Sequence, residues 1–220
     1  MKKIELILIM TIIFVITSCE LSPFVREKET INPEQTNVKE ETALFNQENS
    51  DDQSYEFVTN DTRFINKNGY TFWSVPYVNT HDDFEPVTVT VCKESGRTEA
   101  GFGIVFCKQN LNGKSYMLTV LINGNGLYTV GKVIEGSFYY LDKGWKASDS
   151  IRRGQGVNNK MSVTYDSESK LFYLYINDYK VTSFSTSENI TFKNSKSGFA
   201  VVIANNETFP SNPVKVTFKK

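Results

Sequence analysis

Between residues 54 and 220 apolar and polar positions alternate along the chain. Val87-Thr88-Val89-Thr90-Val91, Met161-Ser162-Val163-Thr164-Tyr165 and Val214-Lys215-Val216-Thr217-Phe218 each carry an apolar side chain at every second residue. That period is the mark of a strand with one face on a core. Residues 171–176 are almost wholly apolar and aromatic, which predicts a strand covered on both faces or one with an aromatic stripe. Further strands are predicted at 70–75, 101–108, 116–122, 127–133, 137–141, 179–184 and 198–204. Turn residues separate them: Ser95-Gly96, Asn112-Gly113, Asn123-Gly124-Asn125-Gly126, Glu135-Gly136, Asn177-Asp178 and Asn194-Ser195. Asn and Gly tolerate the positive φ that tight hairpins demand. No segment keeps a helical period. Many short strands without intervening helices predict an all-β domain of two antiparallel sheets, over about 165 residues, an ordinary size for one core.

The first 53 residues follow another pattern. A basic start, Met1-Lys2-Lys3, leads into an apolar run from Ile4 to Ile16, broken by Glu5 and Thr11, and then Thr17, Ser18 and Cys19. These are the parts of a secretory signal over residues 1–18. The run is short for a membrane span: about 15 residues rise roughly 22 Å against a hydrocarbon core of ~30 Å. Ile16-Thr17-Ser18-Cys19 resembles the bacterial lipobox. That resemblance implies a lipid (diacylglycerol, palmitate) on Cys19 and a mature chain beginning there. Two acyl chains hold a protein stably on a membrane. Residues 19–53 are rich in Glu, Asn, Gln, Thr and Ser, with acidic clusters at Glu27-Lys28-Glu29, Glu40-Glu41 and Asp51-Asp52. Such a composition buries too little apolar area to offset ordering entropy, so a disordered acidic tether is expected, with a reach of roughly 30 Å. The expected location is the cell envelope, outside the cytoplasm, with the 54–220 head held off the lipid.

The strand order also resembles a known family. Gly101-Phe102-Gly103-Ile104-Val105-Phe106, Ser115-Tyr116-Met117-Leu118-Thr119-Val120 and Gly126-Leu127-Tyr128-Thr129-Val130-Gly131-Lys132-Val133 look like the core of concanavalin-A-like lectin/glucanase domains. The laminin-G-like and keto-disaccharide-hydrolase-like branch is the most similar. Trp145 to Ile151, the hairpin of Met161–Val163, Leu171–Asn177 and Val181, and Ser197-Gly198-Phe199-Ala200-Val201 continue the likeness. It spans roughly residues 69–218. Phe218 is followed by Lys219 and Lys220 where the family carries an Asp. The resemblance implies a two-sheet antiparallel jelly roll and, for function, carbohydrate recognition or hydrolysis.

The residues weigh against a catalytic centre. The one histidine, His81, sits in the polar loop Asn79-Thr80-His81-Asp82-Asp83, where a solvated role is the default. A nucleophile system built on histidine would have to use it. The glucanases of this fold carry Glu-x-Asp-x-x-Glu, and no such run occurs here. Asp166-Ser167-Glu168 and Asp83-Phe84-Glu85 have the spacing of carboxyls on one strand face, but they fall in a turn and before a strand. A non-catalytic recognition head is therefore expected, for glycan or for another envelope or host protein. A glycoside hydrolase and a structural envelope component are the alternatives.

Aromatic side chains are the candidate contacts, since sugar faces stack on flat rings with a polar edge. Trp73, Tyr128, Tyr139, Tyr140 and Trp145 are singled out, with Tyr173 and Tyr175 as further candidates. Neighbouring strand residues point to opposite faces, so one of Tyr139 and Tyr140 is expected to face a binding surface. No cofactor is implied. Calcium is open to the fold, with loop oxygens on Asp82, Asp83, Asp142, Asp149 and Asn205-Asn206-Glu207. A formal net charge of -1 and the absence of a basic cluster argue against nucleic acid. Cys92 and Cys107 form an even pair in an oxidising compartment, and a disulfide between them is open. A hairpin centred on Ser95-Gly96 would not set them directly opposite.

Overall fold

A computed structural model describes residues 39–40, 45–49, 53–60, 62–209 and 211–220. The signal segment, Cys19 and most of the tether lie outside the described residues. Fifteen strands run in chain order among the described residues. They are β1 (Lys39–Glu40), β2 (Phe45–Asn49), β3 (Ser54–Val58), β4 (Thr71–Val78), β5 (Val87–Ser95), β6 (Phe102–Leu111), β7 (Lys114–Ile122) and β8 (Leu127–Ile134). The rest are β9 (Ser137–Tyr140), β10 (Lys146–Ala147), β11 (Asn158–Asp166), β12 (Leu171–Ile176), β13 (Tyr179–Phe184), β14 (Lys196–Val202) and β15 (Lys215–Lys219). A 3-10 turn, Thr62–Phe64, drops Phe64 into the core.

The strands form two sheets. The eight-stranded sheet has the order β1-β4-β14-β6-β7-β8-β10, with β9 also paired to β8. The seven-stranded sheet has the order β13-β12-β11-β5-β15-β3-β2. Among the described residues all strand pairings are antiparallel except that of β1 with β4. Every predicted strand is present. Residues 171–176 alternate strictly: Phe172, Leu174 and Ile176 are buried, whereas Leu171, Tyr173 and Tyr175 are only half-buried. The strand is one-faced, with a tyrosine stripe outward. The turn residues also take their expected conformations: Asn112 and Gly113 at φ 52° and 80°, Glu135 and Gly136 at 50° and 79°.

The main core lies between the sheets and is rich in rings. Phe199 of β14 meets Phe218 at 4.6 Å, Tyr55 at 5.1 Å, Tyr77 at 5.8 Å and Phe45 at 6.4 Å between ring centroids. These rings come from both sheets, so Phe199 ties the layers together.

One boundary needs correction, and one open pairing closes. The folded region begins before Ser54: β2 pairs with β3, and Phe45 is 5% exposed within the core. Its apolar side chain has a partner surface that an acidic tether would lack. The pair Cys92 and Cys107 forms no disulfide: both thiols are free and buried. Ser95-Gly96 is not a hairpin. It passes the chain from β5 in one sheet to β6 in the other, so the two cysteines do not sit on paired strands.

A groove on the outer face of the larger sheet

The eight-stranded sheet is apolar on both faces. Inward it meets the other sheet. Outward it carries a second cluster of Trp73, Val75, Val105, Met117, Leu121, Val133 and Ala200, with Phe138, Trp145 and Val202 packed against it. The sequence signal for this second face is the burial of β7, apolar without interruption from Tyr116 to Ile122 apart from Thr119. A strand covered on both sides needs two packing surfaces.

Register explains why a groove of about 520 Å³ forms there, within the range of ligand pockets. One row runs across the strands from Trp73 through Ala200, Gly103 and Leu121 to Thr129. The next runs from Gly198 through Val105, Thr119 and Gly131 to Tyr140. Of the small residues in these rows only Ala200 lines the groove; at Gly103 and Gly198 an added Cβ would meet the backbone of the neighbouring strand at 2.3 and 2.0 Å. Two aromatic walls each rest on a glycine. The ring of Trp145 lies over Gly101, where a Cβ would meet its Cη2 at 2.9 Å. Phe138 lies over Gly131, where a Cβ would meet its ring at 2.4 Å.

The five aromatic candidates separate by strand parity. Trp73, Tyr140 and Trp145 line the groove. Tyr128 points the other way and belongs to the core between the sheets. Tyr139 is 49% exposed, on the opposite side of β9 from Phe138 and Tyr140, and does not line the groove. Thr129, Phe138, Met117 and Leu121 line it without having been singled out in the sequence. Tyr173 and Tyr175 sit on the outer side of the other sheet.

No protein-family model matches the chain, and no curated protein matches it significantly. Solved structures do. A β-glucanase from Bacillus licheniformis superposes with a TM-score of 0.50 at 5% identity, covering 84% of this chain and 86% of that one. The fold is a concanavalin-A-like jelly roll. A lichenase from a mouse hindgut metagenome is similar at TM-score 0.49, 7% identity and coverage of 84% and 86%. A carbohydrate-binding module, CBM66 of Bacillus subtilis, is similar at 0.43, 13% identity and coverage of 64% and 76%.

On this jelly roll Glu99 is the one charged side chain among the described residues lining the groove. A two-carboxyl hydrolytic site needs a second acid facing it. Asp166 accepts hydrogen bonds from Ser169 and the Glu168 amide in its own turn. Glu85 pairs with His81 at 3.1 Å on an exposed loop. Among the described residues no three His, Cys, Asp or Glu side chains converge as metal ligands. Asp142 instead pairs with Lys146, and Asp82 with Lys193.

The mouth of the groove is set by a buried lysine. Lys93 continues the inward parity of Val89 and Val91 on β5 and is 1% exposed, a position strand period alone identifies. Its Nζ donates to the carbonyls of Arg97 and, at 3.2 Å, Ala100. The carbonyls between are held too: Gly124 N donates to Thr98 at 2.7 Å and Asn123 Nδ2 to Glu99 at 3.2 Å. The buried Glu207 carboxylate accepts from the Arg97 amide at 3.1 Å. The turn that carries Glu99, Ala100 and Gly101 is thus pinned along its length.

Burial lowers the Lys93 pKa from 10.5 to about 8, although Glu207 and Glu99 pull it upward. Above about pH 8 the folded state therefore holds fewer protons on this group than the unfolded chain. Unfolding free energy should rise with pH until the unfolded lysine also titrates. The buried thiol of Cys107 and the phenols of Tyr77 and Tyr116 are all raised by burial. They act oppositely once their unfolded counterparts ionise, from about pH 9 upward. The expected profile climbs between about pH 8 and 9 and then turns over. Urea midpoints across that range check it, and Lys93→Met should abolish the climb while leaving the alkaline fall.

Proposed function

We propose that this chain is a lipid-anchored envelope protein whose jelly-roll head recognises glycan, without hydrolysing it, in the groove on the outer face of the larger sheet. The observation that carries this reading is the lining. Both tryptophans of the chain line it together with Phe138 and Tyr140, and flat rings with a polar edge suit sugar rings. The likeness in fold to a β-glucanase supports a glucan as the class of ligand. A single carboxylate favours recognition over hydrolysis.

A glycan array probed with the full chain in detergent tests the reading. Retention of neutral glycans without release of new reducing ends is expected. Binding to no glycan, or steady cleavage of a bound one, would overturn it. The anchor is tested separately. Wild-type chain should incorporate labelled palmitate and partition into detergent, and Cys19→Ser should do neither.

A further inference from the structure

Two buried polar atoms in the groove have no hydrogen-bond partner among the described residues: Trp73 Nε1 and Thr129 Oγ1. Both residues line the groove, and they are 5% and 2% exposed. Unpaired buried polar groups cost roughly 1–3 kcal/mol and are uncommon in native interiors. Only four such side-chain atoms occur among the described residues, and two of them are here.

Their positions add a length. Trp73 and Thr129 end one cross-strand row, with β14, β6 and β7 between their strands. Four spacings of about 4.8 Å set them roughly 19 Å apart. Between them lie Ala200, Gly103 and Leu121, which offer no side-chain hydrogen bond. An indole N–H only donates, whereas a threonine hydroxyl donates and accepts. The complementary ligand carries an acceptor at one end, a hydroxyl at the other and apolar surface between.

Charge narrows the class. The described lining has no lysine, arginine or histidine, and its one charge, Glu99, stands exposed at the mouth. Lys108 Nζ stands 5.6 Å from the centroid of the Trp73 ring, a cation–π partner outside the lining; a carboxylated or sulfated sugar would still bring an anion onto an apolar floor whose lining holds no cation, which is costly.

Resting on the reading of the groove as a glycan site, we infer that its ligand is an uncharged oligosaccharide lying across the strands, held at its two ends by Trp73 Nε1 and Thr129 Oγ1. A monosaccharide reaches only one of these atoms.

Calorimetric titration of the full chain in detergent with a ladder of neutral gluco-oligosaccharides tests this. Affinity should climb with chain length and level off once both atoms are engaged. Trp73→Phe keeps a ring and removes the N–H; Thr129→Val keeps the shape and removes the hydroxyl. Each should weaken the longest ligand about tenfold, the size expected for one lost hydrogen bond. Monosaccharide affinity should respond to one substitution at most. Thr129→Ser, which restores a hydroxyl, should recover affinity and controls for misfolding. Uronic-acid oligomers of matching length should bind at least tenfold more weakly. Length-independent binding, anionic oligomers bound equally well, or affinity indifferent to both substitutions would overturn the inference and leave the glycan site standing. No binding at any length would overturn both.

Discussion

Replacing Phe199 with alanine should lower the unfolding free energy by about 3–5 kcal/mol, the usual cost of emptying an aromatic site in a packed core. Phe199 is 2% exposed and stands among Phe45, Tyr55, Tyr77 and Phe218. Three of these rings belong to the opposite sheet and one to the neighbouring strand. Strands β4 and β6 flank β14, so the backbone has little room to collapse into the void. Against a typical total of ~5–15 kcal/mol this is a large share. Guanidinium unfolding should show a lower midpoint with an unchanged slope. Tyr179→Ala, at a site 68% exposed, should change stability by no more than about 0.5 kcal/mol. Similar losses for the two variants would contradict the core described above.

Trp145→Ala should abolish most glycan binding while sparing the fold. The ring covers Gly101 and touches the outer cluster, and it takes no part in the core between the sheets. Aromatic anchors at the centre of a recognition surface cost about 2–4 kcal/mol when truncated, which is roughly 30-fold or more in affinity. Its stability cost should be well below that of Phe199→Ala, because one side of the ring faces the open groove. Calorimetry with a neutral oligosaccharide and a thermal melt on the same sample separate the two effects. Undiminished affinity in a folded variant would remove Trp145 from the site.

The strands were legible in the sequence because each carries its own period. Leu171–Ile176 and Tyr179–Phe184 fall on β12 and β13 to the residue. What strand patterning could not convey was which strands share a sheet. Ser95-Gly96 looks like a hairpin turn, yet β5 and β6 separate there into opposite layers, and the expected proximity of Cys92 and Cys107 went with it. Phe45 was hidden for a related reason: Ala43-Leu44-Phe45 is a short apolar island in a polar stretch, and it gains meaning only from the strand that Phe45 pairs with. In the site, parity distinguished Tyr140 from Tyr139 in principle but could not say which faced outward. Tyr128 looked like its aromatic neighbours and proved to point inward. Thr129 carries no sequence signal at all, since its role comes from the row that ends on it.

The account rests on the groove, and the chain supplies its own probe. Its two tryptophans, Trp73 and Trp145, both line that groove, so indole emission reports on nothing else. Titrating the full chain with a neutral gluco-oligosaccharide should shift or quench this emission along a saturable curve that matches the calorimetric affinity. Calorimetric binding with emission unchanged would place the glycan elsewhere on the protein and contradict the account.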